Sequence, residues 1–123
     1  MSRDPSPTSD PIELEAPHGA SALTIAWSDG VRSRYRHALL RGFCPCAHCQ
    51  DHQGPVRWAD GARDEDLPLV LVEEVGNYAV RLGWQDGHAT GIYSFEYLRR
   101  LAPLARRAEE AGLDAVRGET VAR

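Results

Sequence analysis

No apolar run in this chain approaches the roughly 18–20 residues that span a bilayer. Nor is there a basic excess of the kind that marks a general nucleic-acid binder, since the formal net charge is −4 and the pI about 5.7. The N-terminus, M-S-R-D-P-S-P-T-S-D-P, has no apolar core of a secretory signal. Catalytic signatures are missing too. Ser94 stands in Y-S-F rather than G-x-S-x-G, Asp29 and Asp86 read as turn residues rather than an acid/base pair, and no phosphate loop emerges. Cysteine is scarce, at three, and an odd number cannot all pair within one chain. These absences point away from membrane, export and nucleic acid, and toward a reducing cytoplasm.

What remains is ordinary in bulk: 42% hydrophobic and 26% charged residues over 123 positions, which fits one small domain. A chain this short builds only a modest core, so a metal clip would add usefully to its stability.

The unusual stretch is L-L-R-G-F-C-P-C-A-H-C, Leu39 to Cys49, which holds all three cysteines. Cys44 and Cys46 are too close for easy bridging. The spacing C-x-C-x-x-C, with Pro45 stiffening the turn, gathers Cys44, Cys46 and Cys49 around one point and suits zinc or an iron–sulfur cluster. Zinc accepts histidine as a fourth ligand. Of the five histidines, His48 lies between two thiols and points away, and His52 is near enough to reach. His88 follows the tight-turn signature Gln85-Asp86-Gly87, which would hold it rigidly.

Along the chain, residues 1–11 read as a disordered leader rich in Pro, Ser and Asp. Ile12 to Glu15 suggests an edge strand. Leu23 to Trp27 and Val31 to Tyr35 form a hairpin about Ser28-Asp29-Gly30. Alternation should bury Val31, Ser33 and Tyr35 and wet Arg32, Arg34 and Arg36. His37 to Gly42 is a short helix, and Asp51 to Leu67 a long polar loop with Asp64, Glu65 and Asp66 at a solvated tip. Leu69 to Val75, Tyr78 to Trp84 (Tyr78, Val80 and Leu82 on one face) and His88 to Tyr93 make a three-stranded meander. Ser94 caps a helix from Phe95, which Pro103 should kink or divide and Gly112 should end. Leu113 to Arg123 reads as a frayed tail. The order predicts an α+β fold, a small and mainly antiparallel β-sheet domain with a short helix before the cysteines and a C-terminal helix. W-S-D-G at Trp27 to Gly30 and W-Q-D-G at Trp84 to Gly87 are one hairpin chemistry used twice.

Four motifs in order carry a resemblance: L-T-I-A-W-S-D-G (Leu23 to Gly30), the cysteine stretch, W-Q-D-G-H (Trp84 to His88) and I-Y-S-F-E-Y-L-R (Ile92 to Arg99). The chain resembles the gamma-butyrobetaine hydroxylase-like N-terminal domain, the DUF971 family, over residues 12–102, leaving 103–123 as a C-terminal helix and tail. The resemblance implies a structural zinc held by three cysteines and one histidine, here Cys44, Cys46, Cys49 and His88, and a part in subunit association. In the hydroxylases an iron- and 2-oxoglutarate-dependent oxygenase barrel follows. No His-x-Asp/Glu pair with a distant His occurs in this sequence, so hydroxylase activity is not carried over.

The expectation is a cytoplasmic, zinc-stapled accessory or interaction domain without catalysis. It would have a protein partner or form a homodimer, with neither nucleic acid nor membrane as a partner. The alternative is an iron–sulfur assembly or redox accessory protein that uses the same thiols. His37, His48 and His52 are expected at the surface, with His52 as reserve ligand. Trp27, Trp84 and Phe95 are expected in the core. Arg99, Arg100, Arg106 and Arg107 read as a solvated helix face, or more sharply as a dock for an acidic partner.

Overall fold

Two tight turns of the same design organise the chain. In the computed structural model, which describes residues 10–47, 49, 50, 54–59, 62 and 65–123, strand β2 (Ala22–Trp27) leads through the first turn into β3 (Arg32–Arg36). Trp27 N–H donates to the Val31 carbonyl at 2.8 Å, and Gly30 N–H donates back to the Trp27 carbonyl at 3.0 Å. The Val31 N–H is taken by Asp29 Oδ1 at 3.1 Å. The second turn, after β6 (Ala79–Trp84), repeats all three bonds. Trp84 N–H reaches the His88 carbonyl at 2.9 Å, Gly87 N–H the Trp84 carbonyl at 2.9 Å, and His88 N–H reaches Asp86 Oδ1 at 3.0 Å. Gly30 and Gly87 stand at φ 89° and 91°, where a Cβ would be strained. The echo of W-S-D-G in W-Q-D-G is thus two copies of one turn.

The fold is α+β with antiparallel sheets and two helices, as expected. One sheet orders β1 (Pro11–Glu15), β2 and β3; another orders β5 (Leu69–Val75), β6 and β7 (Gly91–Ser94). Helix α1 (His37–Gly42) follows β3 directly, and α2 (Phe95–Ala111) packs across β3. Ser94 caps α2 by accepting the Tyr97 N–H at 2.9 Å, and the helix ends at Gly112. Pro103 lies on its exposed side without dividing it, so no second helix begins there.

Trp27, Trp84, Tyr35, Tyr93 and Phe43 are the largest side chains of the core, with Phe95 half-buried against it. Three buried phenols each donate to a backbone carbonyl at 2.6 Å: Tyr35 to Leu98, Tyr93 to Leu40 and Tyr97 to Phe43. Burial raises all three phenol pKa values, which keeps them as neutral donors. A buried hydroxyl without an acceptor would cost about 1–3 kcal/mol, so these bonds fix how α1 and α2 sit against the sheets.

Several expectations are corrected. Residues 113–123 do not fray. A 3₁₀ turn (Leu113–Ala115) and strand β8 (Thr120–Val121) bury Leu113, Val116 and Val121, and β8 pairs with β4 (Val56–Arg57) inside the expected long loop. Three apolar side chains in the core explain why this segment is held. The last strand of the meander begins at Gly91 rather than His88. Tyr78 precedes β6 and is 56% exposed, while Val80 and Leu82 share the buried face. In β3, Ser33 and Tyr35 are buried and Arg32 and Arg34 exposed as alternation required, but Val31 belongs to the turn and is exposed.

His37 is buried, not at the surface. Its Nδ1 lies 2.8 Å from the Leu67 carbonyl and its ring meets the Trp84 ring edge-on. Asp66 is not a solvated tip either: Oδ1 accepts the Ala38 N–H at 2.9 Å and Oδ2 pairs with Arg36 at 3.1 Å. The residue preceding α1, Arg36, offers no side-chain acceptor, so the first turn of the helix recruits one from a distant loop. Positions 1–9 of the expected leader, His48, His52 and Asp64 lie outside the described residues.

Candidate metal centre

Helix α1 stops at Gly42, with the Phe43 N–H closing on the Leu39 carbonyl at 3.0 Å, and delivers Cys44 into the core. The chain then folds over itself. The Cys46 carbonyl accepts both the Cys49 N–H at 3.1 Å and the Gln50 N–H at 3.0 Å. This returns the third sulfur toward the first two. On the facing side, the second Asp–Gly turn projects His88 from the end of the β6 hairpin.

These pieces meet. The ligand atoms of Cys44, Cys46, Cys49 and His88 all lie within 4.8 Å of one another. His88 Nε2 stands 3.3, 3.4 and 3.5 Å from the sulfurs of Cys44, Cys46 and Cys49. A tetrahedral zinc with Zn–S about 2.3 Å and Zn–N about 2.0–2.1 Å needs a sulfur–nitrogen edge of about 3.6 Å. The four donors therefore fit a metal ion in number, kind and spacing, and the cluster is compatible with metal binding.

The thiols cannot all ionise side by side without a cation between them. Cys44, hydrogen-bonded to Cys49 and buried, has its pKa pushed far up. Cys49 is lowered to about 5, first by the hydrogen bond from Cys44, then by Cys46, the charge of His88 and Arg41. A divalent ion bound among the three sulfurs would hold them as thiolates and release protons as it binds.

A surrounding layer holds the donors. Arg41, on α1, points Nη1 at Cys49 Sγ at 3.5 Å and Nε at Asp86 Oδ2 at 3.1 Å. Asp86 thus fixes the His88 backbone with one oxygen and Arg41 with the other. Burial acts to raise its pKa, but the His88 N–H and Arg41 bring it below the usual carboxylate range. Gln50 is buried and bridges, donating to the Cys44 carbonyl at 3.1 Å and the Arg57 carbonyl at 2.8 Å and accepting the Arg57 N–H at 3.1 Å. Arg123 donates to the Pro45 carbonyl at 2.8 Å and the Gly54 carbonyl at 3.1 Å. Gly91 leaves room, because a Cβ there would sit 2.7 Å from Cys44 Sγ and 2.9 Å from the Tyr93 ring.

The four sequence-predicted ligands are therefore brought together. The sequence reading missed Arg41, Gln50, Gly91 and Arg123. Gln50 carried a signal, since it adjoins the last thiol and is a side chain that donates and accepts at once. The others depend on contacts made only by the fold.

Fold and site define a small α+β domain with a three-cysteine, one-histidine knot. The chain belongs to the family described as gamma-butyrobetaine hydroxylase-like, N-terminal, whose match runs over residues 15–99. A crystal structure of a protein of unknown function of the DUF971 family, from Acidithiobacillus ferrooxidans, is similar at 37% identity and TM-score 0.61. The likeness covers 81% of this chain and 98% of that one. Two proteins solved by NMR in solution are also similar. One has 26% identity and TM-score 0.62, covering 95% of this chain and 86% of that one. The other has 23% identity and TM-score 0.63, covering 89% and 85%, and bears on the fold alone. No curated protein matches the chain. Among the described residues, no helix is long and apolar enough to cross a membrane.

Proposed function

We propose that this chain is a cytoplasmic, zinc-stapled accessory domain that works by binding a protein partner or a second copy of itself, without catalysis of its own. The observation that carries the metal reading is the single-ion spacing of the Cys44, Cys46, Cys49 and His88 donors. The ligands of an iron–sulfur cluster are spread over several irons and stand farther apart, whereas all four donors here converge on one point. Three thiolates and one imidazole complete a tetrahedron, so zinc so held keeps no open position for substrate and acts structurally. The gain is local order. The metal would join the loop after α1 to the β6 turn, and zinc-finger peptides gain on the order of 10 kcal/mol from such binding. Three free thiols in one site also suit a reducing compartment.

The test is elemental analysis of protein purified without added metal. A colourless protein with about one zinc per chain is expected. A brown protein with iron, sulfide and visible absorption would replace this reading with the iron–sulfur one. Absence of any bound metal would overturn both.

A further inference from the structure

The surface away from the cysteines holds a second feature. Between β3 and α2 runs a half-open groove of about 410 Å³. Its lining combines the apolar Val31, Ala102 and Pro103 and the buried Ser33 with four arginines: Arg32 and Arg34 from β3, Arg99 and Arg106 from α2. In a chain of net charge −4 this is a local reversal of sign, and every cation is a guanidinium because the sequence contains no lysine.

We propose that this groove binds an extended acidic segment of a protein partner. Arg32 and Arg34 occupy alternate positions of one strand, about 7 Å apart, which is also the spacing of same-face side chains on an extended peptide. Arg99 and Arg106 lie two helical turns apart, about 10 Å. A compact anion reaches one such pair, whereas carboxylates on alternate residues meet both rows and the residues between them cover the apolar side chains of the lining. Guanidinium forks pair with carboxylates through two parallel bonds.

The present ion pairs show how the groove would open. Arg99 is held to Asp29 at 2.6 Å and lies over the Trp27 ring, so it is a fixed wall. Arg32 reaches Glu15 only at 3.9 Å. Arg106 is exposed and has no ion-pair partner among the described residues. Arg34 is paired with Glu109, which itself lines the groove. Glu109 occupies the place an incoming carboxylate would take and acts as a built-in competitor.

The inference names the partner's chemistry for the accessory role above and rests on that reading only so far. The groove shares no residue with Cys44, Cys46, Cys49 or His88, so zinc content measured on each variant separates failure of one from failure of the other. The probe is a fluorescein-labelled peptide alternating glutamate with valine, followed by anisotropy at low salt. Arg106→Glu should weaken binding about tenfold and Glu109→Gln should tighten it about threefold, while Arg107→Glu, outside the groove, should change it by less than about twofold. Arg106→Gln, with circular dichroism as a folding check, replaces the charge reversal should that variant unfold.

Several results would overturn the proposal: no binding by the wild type, equal weakening by Arg107→Glu, or no tightening by Glu109→Gln. Equal competition by inorganic phosphate or an oligothymidylate would do so too, by making this a generic anion groove. So would concentration-dependent sedimentation abolished by Arg106→Glu, which would give the groove to a second copy.

Discussion

Asp29 and Asp86 hold the same position in two copies of one turn, and each ties its turn to a different helix. Asp29 accepts the Val31 N–H and pairs with Arg99 of α2; Asp86 accepts the His88 N–H and pairs with Arg41 of α1. The residue that leaves the first turn is a valine, and the residue that leaves the second is the imidazole of the candidate metal centre. One local solution therefore serves stability in one place and the placement of a candidate ligand in the other.

That difference is measurable. Asp86→Ala frees both the His88 backbone and Arg41, so zinc affinity should fall about 10–100-fold, the range found when groups behind a ligand are removed. Asp29→Ala should lower the melting temperature and leave zinc affinity within about twofold, because its turn carries no ligand. Competition against a chromophoric chelator reads the first effect and thermal denaturation the second. Equal zinc affinities for the two variants would show that Asp86 does not position His88.

Gly91 makes a second prediction, through space rather than charge. A methyl group there would lie 2.7 Å from Cys44 Sγ and 2.9 Å from the Tyr93 ring, and neither can move aside without cost. Tyr93 is buried and bonded to the Leu40 carbonyl, and Cys44 is fully enclosed. Gly91→Ala should therefore displace the sulfur, cost about 1–3 kcal/mol of stability as overpacking does, and weaken metal binding as well. Denaturation and chelator competition on one preparation test the coupling. Wild-type zinc affinity in a destabilised variant would contradict it.

The parts legible from sequence were those whose causes are local. The Asp–Gly turns, the Ser94 cap, the short helix ending in the cysteine stretch and the alternation in β3 each depend on a few adjacent residues. Three of the candidate donors stood out because they are neighbours; His88 follows a recognisable turn, but its choice over His52 came from the family resemblance. What stayed hidden is set by long-range contact. Asp66 caps α1 from 28 residues away, β8 finds its partner in the loop after the cysteines, and His37 is buried because Trp84 and the Leu67 carbonyl close over it. Polar residues in such places look like surface until the chain folds.

His37 turns that last point into a pH experiment. Burial lowers its pKa below the usual 6.5, while the Leu67 carbonyl and Asp66 work the other way and Arg34 adds to the lowering. Nδ1 faces the Leu67 carbonyl, and Nε2 is buried without a partner among the described residues. The folded chain therefore holds the ring neutral. Because the unfolded chain takes up the proton more readily, the stability tied to His37 is complete above pH 6.5 and declines as pH falls through the lower folded value. Acid also releases a thiolate-bound metal, so the comparison must cancel that effect. His37→Gln keeps a donor toward Leu67 but does not titrate. The difference in unfolding free energy between wild type and His37→Gln should be constant above about pH 7 and shift against the wild type as the pH is taken down toward about 5. A gap that does not change across that range would mean that the ring titrates alike in both states, and that its burial has no consequence for the proton.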